Sequence, residues 1–331
     1  MKKVMALIMA IMMTGSLTAC GSLAQQAAEE TTANASVQEQ VYQVGICQLV
    51  QHEALDAATL GFTEALKEVL GDQVVIEEQN ASNDQATCAT IINQFVASDV
   101  DLIMANATPA LQAAIAATDT IPIVATSITD YATALEISDW TGTTGMNVTG
   151  TADLAPLEEQ AAMILELVPE AKKVAILYCS AEPNSKYQSD IVTGELQKLG
   201  IEVEEFTFAD SNDVMLVTEA AVAAADVIYV PTDNTVASNT EMINSVAEDA
   251  GVPIIAGEEG ICKGCGIATL SIDYYSIGYR AGEMAADILA NGADPATMEI
   301  DFAEELTKKA MASRCEALGI AVPEGYELIE E

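Results

Sequence analysis

Basic residues are scarce in this chain. Its 331 residues include 12 Lys and Arg against 51 Asp and Glu, which gives a formal net charge of −39 at neutral pH. Nucleic-acid binding requires a basic surface that neutralises phosphates, and this composition excludes it. Anionic lipid headgroups also repel such a surface, so any membrane attachment has to be covalent or apolar. The acidity is interpreted first as a source of solubility, with docking on a basic partner as the alternative.

Histidine and enzyme motifs are also nearly missing. The single histidine, His52, argues against zinc hydrolase chemistry and against most acid–base triads. The sequence contains no G-x-S-x-G elbow, no G-x-x-x-x-G-K-[ST] loop and no complete G-x-G-x-x-G. We therefore predict that the protein is not an enzyme and that it binds no cofactor and no metal ion. An extracellular hydrolase that uses paired acids is the disfavoured alternative.

The seven cysteines do not suggest a disulfide framework. Cys262 and Cys265 form a lone C-x-x-C pair, whereas a zinc site needs four ligands and no second pair is present. A redox role would need a thioredoxin-like context, which is absent from the flanking sequence. We predict that the pair lies in a hairpin loop, free or bridged, and that the cysteines elsewhere in the body are small core residues.

The N-terminus has the pattern of a secretion signal. Lys2 and Lys3 precede a continuous apolar run over residues 4–13, and small residues follow it. The run is too short to span a bilayer stably. These features predict a signal peptide over residues 1–19.

A lipid anchor is predicted directly after the signal. The sequence Leu17-Thr18-Ala19-Cys20 resembles a bacterial lipobox, in whose precursors the cysteine receives a diacylglyceryl group and becomes the first mature residue. Residues 20–40 are then the lipidated cysteine and a flexible tether, because Ala, Gln, Thr and Glu dominate the segment. We expect a folded body that the lipid holds on the outer face of the bacterial cytoplasmic membrane.

The body of the chain repeats one pattern twice. In each copy, an apolar strand leads into an amphipathic helix, a Ser-Asn-Asp tripeptide, a second buried strand and a final apolar strand that contains proline. The matched stations are 44–46 and 174–178, 82–84 and 211–213, 101–105 and 226–230, and 121–125 and 252–256. Short continuous apolar strands that alternate with helices are typical of parallel sheets covered on both faces. The pattern predicts an α/β fold with two doubly wound parallel-sheet lobes.

The segments that follow the second copy are predicted to connect the two lobes. We assign residues 41–150 plus 271–298 to an N-terminal lobe and residues 151–270 plus 299–331 to a C-terminal lobe. Several chain crossings then form a multi-strand hinge that lets the lobes close around a ligand. In such sheets, ligands bind outside the carboxyl ends of the strands.

Segments at these predicted strand ends resemble one known family. They are GICQLVQHEALD (45–56), NASNDQATCATIINQFVASDVDLIMANATPALQAA (80–114), IPIVATSITD (121–130), NVTGTADLAPLEEQ (147–160), SAEPNSKYQ (180–188), VPTDNTVAS (230–238) and IDYYSIGYRAGEMAADIL (272–289). Together they resemble the ABC-transporter substrate-binding proteins of the tryptophan/tyrosine uptake type, which have the type I periplasmic-binding-protein fold. The resemblance implies a two-lobed trap that delivers a small amino acid, aromatic or hydrophobic, to an ABC permease and its ATPase.

A zwitterionic amino acid needs hydrogen-bond donors for its carboxylate. Helix N-termini offer free backbone N–H groups and the positive end of the helix dipole. Thr108 and Pro109 are predicted to form a helix start, with Thr108 as the N-cap, and Asn184 and Ser185 a similar start in the other lobe. We expect Thr108, Asn184 and Ser185 to hold the ligand carboxylate; capping without any ligand is the alternative.

The ligand ammonium needs anionic acceptors. Asp233 and Glu258 follow corresponding strands of the second copy and are predicted to receive it through charge-assisted hydrogen bonds. Asp233 is equally suited to be an N-cap, and Glu258 to be a solvated loop charge. Thr129 is their weaker counterpart in the N-terminal lobe.

The remaining predicted contacts are Gln48 and Leu49, which follow the first strand, and Tyr178, which would line the apolar part of the site. His52 is interpreted as a loop residue and is left out of the site. We expect a monomer. Two alternatives stay open: a surface sensor that passes a ligand signal to a membrane protein, and a transport protein for a sugar or another small solute.

Overall fold

The computed structural model describes residues 40–303 and 305–329. The predicted signal peptide, Cys20 and all but the last residue of the predicted tether lie outside the described residues. From Gln40 onward, the chain clusters as one compact unit. Within the described ranges, no helix has both the length and the apolar content that are needed to cross a membrane.

The first lobe is built on a six-stranded sheet with the order β11-β5-β4-β3-β1-β2. Its elements, in chain order, are β1 (Tyr42–Gln48), α1 (Glu53–Leu70), β2 (Val74–Asn80), α2 (Gln85–Ala97), β3 (Leu102–Asn106), α3 (Thr108–Ala117), β4 (Ile123–Ile128), α4 (Tyr131–Ala134) and β5 (Val148–Ala152). All five strand pairings in this sheet are parallel.

The second lobe is built on a seven-stranded sheet with the order β13-β12-β10-β9-β8-β6-β7. Its first elements are α5 (Leu157–Leu167), β6 (Lys173–Cys179), α6 (Pro183–Lys198), β7 (Glu202–Phe208), α7 (Val214–Ala224), β8 (Val227–Val230), α8 (Asn234–Ala237), α9 (Thr240–Ala250), β9 (Ile254–Ala256), α10 (Glu259–Cys265) and β10 (Ala268–Ser271). The chain then returns to the first lobe with α11 (Tyr274–Asn291) and β11 (Asp301–Phe302). It completes the second lobe with β12 (Thr307–Ala310), α12 (Ala312–Ala317) and β13 (Glu327–Leu328). In this sheet only the pairing of β10 with β12 is antiparallel.

The two sheets share one winding, which confirms the predicted fold class. In each lobe the first strand lies between the second and the third, so the order reverses beside β1 and beside β6. Separate apolar clusters cover the two faces of each sheet; in the first lobe, Ile92 and Leu111 pack on one face and Phe62 and Leu66 on the other. Ligands bind at such reversal points, outside the carboxyl ends of the strands.

The chain crosses between the lobes slightly later than the predicted boundaries. β5 remains in the first sheet until Ala152, two residues beyond the predicted limit at 150. β11 also pairs in the first sheet, with Asp301 beside Thr151, although residues 299–302 were predicted to belong to the C-terminal lobe. The crossings therefore fall between β5 and α5, between β10 and α11, and between β11 and β12. The difference arises because β5 and β11 pair with each other and extend the sheet beyond the repeated pattern.

Helices α1 and α11 pack side by side on the first sheet, and their backbones approach each other closely. A Cβ atom at Gly278 would lie 2.1 Å from the carbonyl oxygen of Ala58, and one at Gly61 would lie 2.2 Å from that of Tyr275. Only glycine permits this approach of two helix backbones. The two helices therefore form one tightly packed layer.

The cysteine pair is not in a hairpin loop. Cys262 and Cys265 lie on the short helix α10, and both thiols are free and buried. The Arg314 guanidinium donates hydrogen bonds to four carbonyls at the end of this helix, those of Cys262, Lys263, Gly264 and Gly266. This capping of its last carbonyls stabilises a helix where the sequence suggests a turn.

Candidate functional site: a cavity between the lobes

A small enclosed cavity lies between the two lobes, at the reversal points of both sheets. Its volume is small, about 10 Å³, which is room for about one water molecule, so a larger ligand enters only as the lobes separate. Both lobes contribute to its lining: His52, Leu55, Ser127, Thr129, Asp153, Asn184, Thr232, Asp233, Asn234, Ala237, Glu258 and Tyr274. Its walls are mainly polar.

Hydrogen bonds between the lobes hold the cleft closed around this cavity. The His52 Nε2 atom lies 3.2 Å from Asn234 Oδ1. The Asn83 side-chain amide donates to the Thr235 hydroxyl over 3.0 Å, beyond the cavity itself. An ion pair between Lys263 of α10 and Glu53 of α1 adds an electrostatic contact at the surface.

Four side chains of the cavity wall each have a buried polar atom with no hydrogen-bond partner among the described residues. These atoms are His52 Nδ1, Ser127 Oγ, Asp153 Oδ1 and Asn184 Oδ1. Leaving one buried polar group unsatisfied costs about 1–3 kcal/mol. Four such atoms around one cavity indicate a space that is shaped to receive the polar groups of a ligand.

Asp153 is the carboxylate of the cavity that has an available oxygen. It follows β5 at the first chain crossing and is 5% exposed. Its Oδ2 accepts a hydrogen bond of 2.9 Å from the hydroxyl of Tyr274, at the start of α11, while Oδ1 is unpaired. Burial raises the pKa of Asp153, against the opposing effect of the Tyr274 and Thr129 hydroxyls. A ligand cation at Oδ1 would stabilise the charged form.

Asp233 lines the cavity as predicted, but both of its oxygens are engaged. Oδ1 accepts from the backbone N–H of Val236 and so caps α8, and Oδ2 accepts from the Cys179 N–H and the Ser185 hydroxyl, each over 2.7 Å. Burial, reinforced by the charge of Glu182, raises the pKa of Asp233 to about 8. This geometry matches the alternative in which Asp233 is a helix N-cap.

Glu258 also lines the cavity and also caps a helix. Its two carboxylate oxygens accept from the backbone N–H groups of Gly260 and Ile261, at the start of α10. Burial raises the pKa of Glu258 to about 7. It is 2% exposed, so it is not the solvated loop charge that was the alternative.

Glu182, which the sequence did not single out, organises the second-lobe wall. Its carboxylate accepts from both the backbone and the side-chain amide of Asn234, over 3.0 and 2.7 Å. It also accepts from the backbone N–H and the hydroxyl of Thr235, each over 2.8 Å. Glu182 is 3% exposed and fixes the two residues that reach across to the first lobe.

The predicted carboxylate-binding residues divide between the cavity and its surroundings. Asn184 lines the cavity, and its amide nitrogen donates to the Thr232 carbonyl over 3.1 Å. Ser185 donates to Asp233 behind the wall. Thr108 is buried at the first residue of α3, where Ala107 is the N-cap, so the prediction of Thr108 as the cap was wrong by one residue. Neither Ser185 nor Thr108 borders the described cavity.

Three further predicted contacts lie elsewhere in the lobes. Gln48 accepts a hydrogen bond of 2.6 Å from Thr59 and thereby holds β1 to α1. Leu49 belongs to the core of the first lobe, and Tyr178 to that of the second. Their side chains turn into the lobes instead of toward the cavity. Thr129, the weakest of the predictions, does line it.

The structure places on the cavity wall His52, which the sequence analysis left out of the site, and further residues that the analysis did not select. His52 lies between β1 and α1, at a strand end, and the rule that points to strand ends should have included it. Ser127 is in the left-handed region with φ of 57°, a conformation for which the sequence gives no signal. Asp153 and Tyr274 occur in segments of the family resemblance, 147–160 and 272–289, but were not chosen as contacts.

Two lobes of equal winding that enclose a polar cavity define a solute-binding protein of the bilobal, non-enzymatic kind. The family model described as "ABC transporter substrate binding protein" matches residues 43–326, and the chain belongs to this family. Proteins of this family work outside the cytoplasm. These findings confirm the predicted family, the fold and the expectation that the protein is not an enzyme.

Individual relatives are similar over most of their length. The chain is 37% identical over 292 residues to the "Tyrosine-binding protein" of Clostridioides difficile strain R20291, which covers 87% of this chain and 84% of the relative. A crystal structure from Streptococcus pneumoniae, an "ABC domain in complex with L-Trp", has a TM-score of 0.83 and 31% identity over 88% of this chain and all of that one.

A ligand-free relative differs more in shape. The open structure of a substrate-binding protein with adhesive properties from Clostridium difficile has 35% identity, with coverage of 88% of this chain and 99% of that one, yet its TM-score is 0.67. The chain thus resembles the L-Trp complex more closely than the open form, although the open form has the higher identity. This agrees with the closed cleft described above.

Proposed function

We propose that this protein captures an aromatic amino acid, tyrosine or tryptophan, between its lobes and delivers it to an ABC permease and its ATPase. We further propose that it acts as a monomer, lipid-anchored through Cys20 to the outer face of the bacterial cytoplasmic membrane. The ligand class is supported by the relatives, since one is named for tyrosine and another was crystallised with L-Trp.

The free oxygen of Asp153 carries the proposal. An amino acid brings an ammonium group with several N–H donors, and Asp153 Oδ1 and Asn184 Oδ1 are unpaired acceptors on the cavity wall. A charge-assisted hydrogen bond from the ammonium to Asp153 offsets the cost of burying that carboxylate. The Ser127 hydroxyl is an available donor for the ligand carboxylate, and Leu55 and Tyr274 supply apolar contact for a ring.

A neutral sugar fits this wall less well. Its hydroxyls supply donors, but no cation that would stabilise the charged form of the buried Asp153 carboxyl. The same binding chemistry would serve a surface sensor, and this second role is distinguished by a membrane signalling partner in place of a permease.

Calorimetric titration with tyrosine, tryptophan, leucine and glucose tests the proposal. We expect tyrosine or tryptophan to bind more tightly than leucine, and glucose not to bind. Asp153→Asn should weaken the binding of the preferred amino acid at least tenfold, or about 1.4 kcal/mol, because the ammonium loses its anionic partner.

Asp130→Asn is the matched control for this variant. Asp130 caps α4 by accepting from the Thr133 N–H and does not border the described cavity. Because asparagine caps helices about as well as aspartate, its replacement should change neither stability nor the dissociation constant appreciably. Binding of glucose in preference to every amino acid, or an unchanged affinity in Asp153→Asn, would contradict the proposal.

A further inference from the structure

His52 occupies the outer end of the cavity. It lies just before the first residue of α1, in an extended conformation with φ of −159° and ψ of 166°. Besides the cavity, His52 borders an outer groove that opens at the surface between Gln51, Glu53, Thr240 and Lys263. Asp153, Ser127 and Asn184 border the cavity and not this groove, so they lie deeper.

The hydrogen-bond network determines which ring nitrogen of His52 holds the proton. The Asn234 side-chain nitrogen donates to Glu182 over 2.7 Å, which leaves Asn234 Oδ1 as an acceptor. His52 Nε2 faces this oxygen and must therefore be the donor. Burial lowers the pKa of His52, which favours the neutral ring. In the neutral ring, the second nitrogen, Nδ1, has a bare lone pair and is an acceptor.

This Nδ1 acceptor is buried without a partner among the described residues, in a side chain that lines the cavity. An apolar ligand group placed against it would leave the acceptor unsatisfied at a cost of about 1–3 kcal/mol. An amino acid whose ammonium is at Asp153, deeper in the cavity, directs its side chain outward. The group that meets Nδ1 is then the far end of the ligand side chain.

We infer that His52 is a specificity-determining residue, whose Nδ1 accepts a hydrogen bond from an O–H or N–H group on the ligand's aromatic side chain. The inference rests on the proposed function and deepens it. It assigns the site to ring systems that have a donor, such as the phenol of tyrosine, and disfavours phenylalanine. Sites that bind a substrate hydroxyl reject the analogue without it far more strongly than apolar sites distinguish similar shapes.

Because His52 also contacts Asn234 in the other lobe, its role in closure has to be separated from its role in selection. Two substitutions separate the role of His52 in closure from its role in ligand selection. In His52→Asn, the amide oxygen is as many bonds from Cβ as Nδ1 and can replace that acceptor, while the contact with Asn234 is lost. In His52→Gln, the terminal amide is as many bonds from Cβ as Nε2 and can donate to Asn234, while the acceptor at Nδ1 is lost.

The experiment is calorimetric titration of the wild type and both variants with tyrosine and with phenylalanine, with thermal unfolding as a check on folding. We expect the wild type to prefer tyrosine by about tenfold or more. His52→Asn should bind both ligands more weakly but keep the preference. His52→Gln should lose it, and the two dissociation constants should come within about threefold of each other.

Asn83→Ala is the control for closure alone. It removes a different hydrogen bond between the lobes, to Thr235, and Asn83 does not border the cavity. Asn83→Ala should weaken the binding of tyrosine and of phenylalanine by the same factor. An unchanged tyrosine preference in His52→Gln, or equal binding of the two ligands by the wild type, overturns the inference while the proposed function stands. If no aromatic amino acid binds the wild type, the proposed function fails.

Discussion

At the scale of single residues, the buried carboxylates of the cleft have two different uses. Glu258 caps a helix with both of its oxygens, and Asp233 caps one with Oδ1 while its Oδ2 binds Cys179 and Ser185. Asp153, in contrast, keeps one oxygen free. All three follow strands, so their position in the sequence does not distinguish them. The difference depends on whether a helix N-terminus lies within reach of the carboxylate.

The Glu258 carboxyl makes the stability of the protein depend on pH. Burial raises its pKa to about 7 in the folded state, whereas an unfolded chain has a glutamate pKa of about 4.3. Between these values the folded protein binds a proton that the unfolded chain has released, so this group lowers the free energy of unfolding as pH rises. We expect Glu258→Gln to make this decrease of the free energy of unfolding with pH less steep, by up to about 1.4 kcal/mol per pH unit.

Urea unfolding at a series of pH values between these limits measures the effect. Glu158→Gln, at an exposed position in the first turn of α5, is the control and should leave the slope unchanged. If the free energy of unfolding changes with pH equally steeply in the wild type and in Glu258→Gln, the Glu258 carboxyl does not titrate in this range.

At the scale of secondary-structure elements, the contact between α1 and α11 fixes the wall of the first lobe. Gly278→Ala would place a methyl group 2.1 Å from the Ala58 carbonyl oxygen, so the two helix backbones would have to separate. Overpacking of this kind costs about 1–3 kcal/mol, and urea unfolding should show a loss of that size.

Gly194 gives the matched comparison. It lies within α6, and a Cβ atom there meets no neighbouring atom within 4 Å. Gly194→Ala should therefore stabilise the protein by about 0.5–1 kcal/mol through the higher helix propensity of alanine. Equal effects of the two substitutions would refute the close-packing explanation.

The sequence predicts the repeated elements better than the site they form. Strands β1 and β6 are recognisable because each is a short apolar run that is buried on both faces. Strand β5 is rich in threonine and glycine, and its end is defined by its pairing with β4. Asp153, which follows it, was not selected for that reason. The capping roles of Asp233 and Glu258 also depend on tertiary geometry, which residue types alone do not determine.

At the scale of the whole molecule, closure brings together side chains that are far apart in the sequence. Lys263 and Glu53 pair across the cleft at the surface. Lys263→Met removes this pair without altering the cavity wall. Exposed ion pairs contribute about 0.2–1 kcal/mol, so we expect tyrosine to bind about 1.4- to fivefold more weakly.

Salt provides a second measurement of this contact. Added salt screens exposed charges, so the affinity of the wild type should decrease with ionic strength more steeply than that of Lys263→Met. Lys198→Met is the control, because Lys198 pairs with Glu195 within α6 and does not bridge the lobes. An identical salt dependence in the wild type and Lys263→Met would exclude a role of the pair in closure.

The hydrogen bond between Tyr274 and Asp153 joins two of the three places where the chain passes from lobe to lobe. A cation that settles on Asp153 therefore acts at the pivot of the molecule. A small displacement near the axis of a hinge produces a larger one at the far edges of the lobes. If the protein binds its ligand as proposed, we therefore expect the ammonium group to influence the outline that the closed lobes present to another protein.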